Sequence, residues 1–307
     1  MDPASRAPRA VAAPPDAPAT RTDKNLRSTM FRHLTAPVGL IRTLIQHRFL
    51  LAQLARRAFA ARHAGALLGW LWTPLSTAVQ FALYTVVFSM ILEIRVELAG
   101  TDLAKRVPVG FGVFLITGLV PYLALNDVIL RSARVIRANA TLVQRVRLPL
   151  EVMVVGDILG TLAHHAAAVV LMIGYCAWAG HLSWSGAGWV AGGIALVVVL
   201  AVGGGLLVSV LGVAWPDVPE LLAVVLQLAL YAAPIIYPLS YVPEGWLLTL
   251  IQANPLTPLV GIFRAGLLAV SAPSAGALVY LLVLAGAVLV AGAAAVGRYR
   301  ATIPDLL

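Results

Sequence analysis

The chain has 307 residues, 60% hydrophobic and only 11% charged, with a mean hydropathy of +0.90 and a formal net charge of +9. Soluble domains carry about 25% charged residues, so this composition excludes an ordinary soluble enzyme or binding module. The basic excess first suggests nucleic acid, yet 11 of the 22 basic residues precede Ala64 and five more fall between Arg131 and Val152. That bunching suits membrane loops, and no nucleic-acid partner is expected.

Met1 to about Thr35 is rich in Pro, Ala and Arg and lacks the apolar core of a secretory signal. With little to bury, residues 1–35 are read as a disordered cytoplasmic tail. Residues 41–63, IRTLIQHRFLLAQLARRAFAARH, follow a helical pattern. Arg42, Gln46, Gln53, Arg56 and Arg57 gather on one side; Leu44, Leu50, Leu51, Leu54 and Ala58 gather on the other. Arg48 and Arg62 break the separation by falling on the apolar side, and Phe49 by falling on the polar one. A basic amphipathic helix of this kind lies in the membrane interface, or packs on a soluble partner.

Crossing ~30 Å of hydrocarbon takes roughly 20 helical residues. Six stretches qualify, near Leu68–Leu92, Gly110–Leu130, Val152–Trp178, Trp189–Val213, Leu221–Tyr237 and Ala275–Val296. The fold class is therefore all-α, a polytopic membrane protein spanning residues 36–307. Cys176 lies in the third run and has no second cysteine to pair with. The amino-terminal region, the loop after span two and the Arg298/Arg300 end hold 18 of the 22 basic residues. By the positive-inside rule, both termini are cytoplasmic.

Between Pro234 and Pro273 an apolar segment is interrupted by Pro234, Pro238, Pro243, Pro255, Pro258 and Pro273. Each proline removes a helical hydrogen bond, so no piece reaches spanning length. Short helices that enter from the outer face and turn back fit this pattern; a loop lying flat on the membrane surface is the alternative. Irregular backbone at membrane depth is tolerated only against protein or a wet cavity.

Asp157, Thr161 and His164 share one face of span three. Ionisable groups inside a membrane are costly and face a bundle interior or a water-filled cavity, so this face is either part of a polar path or an internally hydrogen-bonded helix contact. Asp127 precedes Arg131 by four residues, the spacing of a helical ion pair. His164 and His165 point about 100° apart on a helix and make no natural pair of metal ligands; no metal, catalytic or cofactor-binding residue is assigned. Trp72, Tyr84 and Tyr122, with other aromatics of spans one and two, serve to anchor and pack helices or to stack on sugar rings in a channel. A phosphate-cradling loop needs G-x-x-x-x-G-K-[ST], and neither of the two lysines, Lys24 and Lys105, follows a glycine. If transport is driven by ATP, a separate chain must bind the ATP and Mg.

Four stretches carry a family resemblance: LLGWLWTPLSTAVQFALYTVVFS (67–89), LITGLVPYLALNDVILRSARVIRANATLVQRVRLPLEVMVV (115–155), YAAPIIYPLSYVP (231–243) and NPLTPLVGIFRAGLL (254–268). In this order and spacing the chain resembles the permease subunits of type-2 ABC exporters for O-antigen, capsular polysaccharide and teichoic acid. The resemblance implies a homodimer paired with two copies of an ATPase, set in the bacterial inner membrane and passing a lipid-linked polysaccharide outward. It implies a coupling segment at Asn139, Arg145, Arg147, Pro149 and Glu151, an interfacial gate helix bearing Arg42, Arg56 and Arg57, and an outer re-entrant region containing Pro234, Pro238, Asn254, Pro255 and Arg264. Two departures stand out: Pro216-Asp217 where relatives carry Arg-Asp, and Arg62-His63-Ala64 where they carry Arg-Tyr-Lys. A permease of the same type for a drug or another lipid is the nearest alternative. An intramembrane enzyme using the Asp157–His164 face comes next, and a secondary transporter, lacking a visible inverted repeat, comes last.

Overall fold

The computed structural model describes residues 36–99, 106–145, 148–182, 184–300 and 302–307. The amino-terminal tail and Arg147 lie outside the described residues. The amphipathic segment forms two helices, α1 (Ala36–Gln46) and α2 (Arg48–Ala61), broken at His47, whose backbone leaves the helical range at φ −107° and ψ 26°. It therefore begins five residues earlier than expected. The helix expected as a single piece is bent.

Span one runs Gly69–Ile91, with its central helix α3 (Trp72–Tyr84) ending in a π-helical turn over Thr85–Ile91. A small antiparallel hairpin follows, β1 (Arg95–Ala99) against β2 (Arg106–Gly110), with Val96 opposite Val109. Both valines are fully buried while Arg95 and Glu97 face out. This two-residue alternation is the strand signature, and the all-α reading of the loop after span one missed it. The remaining helices are α4 (Phe111–Ala138), α5 (Ala140–Arg145), α6 (Leu150–Trp178), α7 (Ala187–Ala214), α8 (Val218–Tyr231), α9 (Trp246–Ala253), α10 (Leu256–Leu268) and α11 (Ala275–Tyr299).

Among the described residues five helices are long and apolar enough to cross a membrane, and a sixth is reached only if α9 and α10, bent by 73° at Asn254-Pro255, are counted as one. The expected span over Leu221–Tyr237 is a 14-residue helix that stops at Tyr231, before Pro234 can leave a helical carbonyl without its donor. At ~1.5 Å per residue it covers only about 21 Å. Conversely α4 is 28 residues long, about 42 Å, and carries Arg131, Arg134 and Arg137 on helix beyond the ~30 Å hydrocarbon. Three of the five arginines of the arginine-rich "loop" thus lie on the protruding end of span two.

The bundle is drawn together by glycine. In α7, a Cβ on Gly203 would stand 2.6 Å from the backbone nitrogen of Leu289 on α11, and one on Gly205 would strike Ser132 and Ile158. A Cβ on Gly212 would collide with the Ala133 carbonyl of α4. Small residues let helix backbones approach closely, which replaces the hydrophobic drive that lipid removes. In α6, Gly156 and Gly160 form a groove for α2: a Cβ on Gly160 would lie 2.6 Å from the Ala55 carbonyl oxygen and 2.7 Å from the Ala58 Cβ. These contacts bury Leu40 and cover Leu44, Leu51 and Leu54, leaving Val38, Ile41, Ile45 and Phe49 as an exposed apolar stripe.

Burial is uneven. The most apolar window of span two is 67% buried, that of span one only 6%. Leu75, Val79, Leu83 and Val86 of span one and Leu221, Val224 and Leu228 of α8 are exposed within the chain.

Gly212→Leu should lower stability by about 2 kcal/mol or more, as overpacking against backbone does. Gly174→Ala, where no atom lies within 4 Å of the added carbon, should be neutral or stabilising by about 0.5 kcal/mol. Thermal unfolding of the two variants in detergent reads the difference, and equal midpoints would show that close glycine approach does not set the helix spacing.

Candidate functional site

Where α2 ends and span one begins, polar side chains from four segments meet inside the bundle. Arg62 caps α2, and its Nη2 lies 2.7 Å from Asp127 Oδ2 on α4. The same carboxylate oxygen accepts from His165 Nε2 of α6 at 3.0 Å. Arg62 also reaches Thr161 Oγ1 at 3.4 Å. One turn further along α4, Arg131 pairs with Asp157 of α6 at 3.2 Å. The expected Asp127–Arg131 pair within one helix is therefore not formed; each partner reaches across to another helix. The reason is supply. Arg62 is on the packed side of α2, where the amphipathic pattern has no place for it, and it brings the cation that Asp127 takes.

A second chain of hydrogen bonds continues into span one. His63 Nδ1 is 3.0 Å from the Phe59 carbonyl oxygen, so that nitrogen carries a proton and donates. In the neutral ring Nε2 is then an acceptor, and it receives the Thr73 hydroxyl at 2.8 Å. Thr73 in turn accepts from His164 Nδ1 at 3.1 Å. The His63 and His164 rings lie 5.5 Å apart, and His164 meets His165 edge-on at 5.2 Å. Two networks meeting at this histidine pair thus connect the surface helix, span one, span two and span three.

Asp127 stands eleven residues before the end of α4, roughly 16 Å from it, at the depth where an isolated charge is expensive. Pairing each acid with one arginine leaves no net charge there. Asp157 and His164 share a helix face, but each is taken by a different partner, Arg131 and Thr73. The acid–base pair that an intramembrane enzyme would need is not brought together. Among the described residues no group of three or more His, Cys, Asp and Glu could hold a metal ion.

The other expected residues fall into separate places. Asn139 terminates α4, its side chain donating to the Val135 carbonyl at 2.8 Å, and its own carbonyl starts α5. Arg145 is exposed at the end of α5. Pro149 is the extended N-cap of α6, with Glu151 in the first turn where the helix dipole favours a carboxylate. Arg134 pairs with Glu220 at 3.0 Å, and Arg137 donates to the Val213 carbonyl at the end of α7 at 2.8 Å. Arg42, Arg56 and Arg57 are exposed, and Arg57 lines a small cleft with Asn139, Leu142 and Asp157. Trp72 is exposed, Tyr84 lines a groove with Ser76, Gln80 and His164, and Tyr122 is buried with its hydroxyl donating to the Leu226 carbonyl of α8 at 2.7 Å.

At the opposite end, Asn254 donates to the Ala232 carbonyl at 2.9 Å and accepts from the Leu256 amide at 3.0 Å, pinning the bend before Pro255. Arg264 is buried beneath Pro234 and Ile235. The sequence reading missed Arg62, His63, Thr73 and His165 as members of the cluster. The misplaced Arg62 on an apolar helix face was the signal that pointed to them.

An amphipathic helix tied by an ion pair into a bundle of long apolar helices defines a polytopic membrane protein. Residues 50–268 match the family described as ABC-2 type transporter, and the chain belongs to that family. It is 26% identical over 234 residues to the O-antigen export system permease protein RfbA of Myxococcus xanthus, covering 74% of this chain and 84% of that one. It is also 26% identical over 211 residues to the polysialic acid transport protein KpsM of Escherichia coli, covering 64% and 72%. The O-antigen export permease RfbA of Klebsiella pneumoniae is 22% identical over 220 residues, covering 69% and 77%.

A double-mutant cycle on Arg62→Ala and Asp127→Ala should give a coupling of about 1–3 kcal/mol, read as thermal unfolding of the purified protein. Each single variant strands one charge, so the double variant should be more stable than the sum of the singles predicts. Additive losses would remove the ion pair from the list of what holds α2 to the bundle.

Proposed function

We propose that the chain is the membrane-spanning permease of an ATP-driven exporter that moves a lipid-linked polysaccharide, O-antigen or capsule, out across the bacterial inner membrane. The observation that carries this reading is the family match over residues 50–268 together with relatives named for O-antigen and polysialic acid export. The chain itself is a transporter subunit and not an enzyme. ATP and Mg are bound by a separate ATPase present in two copies.

The arginine-rich end is cytoplasmic, with both termini on that side. There α5 and its flanks, Asn139 to Glu151, form the coupling segment on which the ATPase docks. Three features support this placement. Arg145 is solvent-exposed at the tip, α4 projects beyond the hydrocarbon, and Pro149 is the N-cap of α6. A push on α5 passes into two long helices and, through the Asp127–Arg62 pair, into α2. A second copy of the chain covers span one and α8, whose apolar faces find no cover within one chain. The polymer path runs along these faces, where Gln80, Ser76 and Tyr84 offer hydrogen bonds and an aromatic ring to sugar.

The test is biochemical. Purified alone, the protein should hydrolyse no ATP; reconstituted with its ATPase it should support hydrolysis that rises on adding the lipid-linked glycan. Arg145→Glu should weaken ATPase association about tenfold while leaving membrane insertion unchanged. Glycan made but retained inside cells of that variant supports the reading. Loss of glycan synthesis, or hydrolysis by the lone chain, would overturn it.

A further inference from the structure

The end of the bundle away from the arginine-rich segment holds one cation with an unusual environment. Arg264 on α10 is 7% exposed. Its guanidinium donates to the carbonyls of Pro234 at 2.6 Å, Ile235 at 3.1 Å and Phe114 at 3.3 Å, and its central carbon lies 3.6 Å from the centre of the Phe114 ring. Gly118 makes room for it, since a Cβ there would stand 3.1 Å from Nη2. No carboxylate pairs with it among the described residues. A guanidinium has five N–H donors; three bonds are made, and Nε finds no acceptor. Carbonyl dipoles and a ring share the charge but do not neutralise it, and a buried charge without an opposite partner costs several kcal/mol.

Beside this cation lies a cavity of about 430 Å³, within the range of small-ligand sites. Arg264 lines it together with Gln252, Thr257, Ser271 and Ser274, over a floor of Pro234, Pro258 and Leu98. Among the described residues no acidic residue is in its wall. Gln252 and Ser271 have no hydrogen-bond partner among the described residues, whereas Thr257 is bonded to the Ile251 carbonyl and Ser274 caps α11. A buried cation short of an acceptor, neutral donors around it, apolar walls and no competing carboxylate make the complement of an oxyanion attached to an apolar body.

We propose that this cavity binds the phosphoryl head of a lipid, the oxyanion meeting Arg264, Gln252 and Ser271 and the tail leaving along the apolar wall. A bound phosphate would supply the opposite charge that the carbonyls and the ring do not. The proposal rests on the export reading for the choice of an isoprenoid diphosphate as the probe: a lipid-linked glycan arriving on the far side of the membrane would present its diphosphate here.

The test uses the full chain with its ATPase, purified in maltoside micelles, and follows the phosphorus resonances of farnesyl diphosphate as protein is added. Saturable broadening is expected, with affinity reduced about tenfold in Arg264→Met. The pair Gln252→Leu with Ser271→Ala should reduce it several-fold while leaving the three carbonyl bonds of Arg264 in place, so the site is testable even if Arg264→Met fails to fold. Farnesol should not compete. Competition by phosphatidylglycerol at similar concentration supports a lipid phosphate of the ordinary phospholipid kind. Equal competition by inorganic diphosphate overturns the lipid assignment, and binding unchanged in both variants overturns the site. Glycan export is scored separately in cells: if binding persists where no glycan is ever exported, the export reading fails and the site stands.

Discussion

The pairing of Arg62 with Asp127 is the constraint on which the arrangement of this protein depends. A carboxylate on the packed side of a spanning helix is costly to keep charged without a cation, and the cation comes from a helix that is not itself a span. The surface helix is thereby held at one height and one rotation, with His165 closing the carboxylate from the other side. Glycine packing does the rest of the work. Gly156 and Gly160 bring α2 close enough for Arg62 to reach, and the ion pair repays the loss of side-chain packing that two glycines entail. Neither contact is sufficient alone, because the groove has no direction and the ion pair has no lateral hold.

This joint gives the two ends of the protein different mechanical characters. At the arginine-rich end, α4, α6 and α2 are connected by two ion pairs and by close backbone contact, so they move as one body. Span one is attached to that body by the His63–Thr73–His164 bonds near its start, by Phe81 buried against the Tyr175 ring midway, and by the Thr85–Tyr175 hydroxyl contact, the Phe88–Phe111 ring contact and the Ser89–Gly112 bond near its end. One face of the span is thus fixed to the bundle, while Leu75, Val79, Leu83 and Val86 on the other are left exposed.

The far end solves a different problem. There the backbone is irregular from Ala232 to Tyr241, and its carbonyls would be stranded at membrane depth without donors. Arg264 supplies three bonds at once to two turn residues and to the start of α4. Asn254 supplies another pair across the bend. Side chains thus replace the helix as the source of backbone satisfaction, and the cavity beside Arg264 is what remains when short helices cannot fill the space that a straight span would.

Much was legible in the residues themselves. Length and hydropathy set the five long spans, because lipid requires about twenty apolar residues whatever the neighbours are. Proline positions marked where α9 and α10 would bend, because a missing amide hydrogen acts locally; the same rule at Pro234 was not applied to α8, whose expected span ran on to Tyr237. The two-residue alternation from Arg95 was local as well, and the hairpin could have been read from it. Tertiary structure alone decided the partners. Asp127 had Arg131 four residues away as the local candidate, and took Arg62 and His165 because packing brought these within reach. The role of Gly156, Gly160 and Gly212 was equally hidden, since a glycine's spacing states only that something may come near, and the neighbouring helix determines what does. Local chemistry was written along the chain; charge pairing between helices depended on distances that exist only once the bundle has closed.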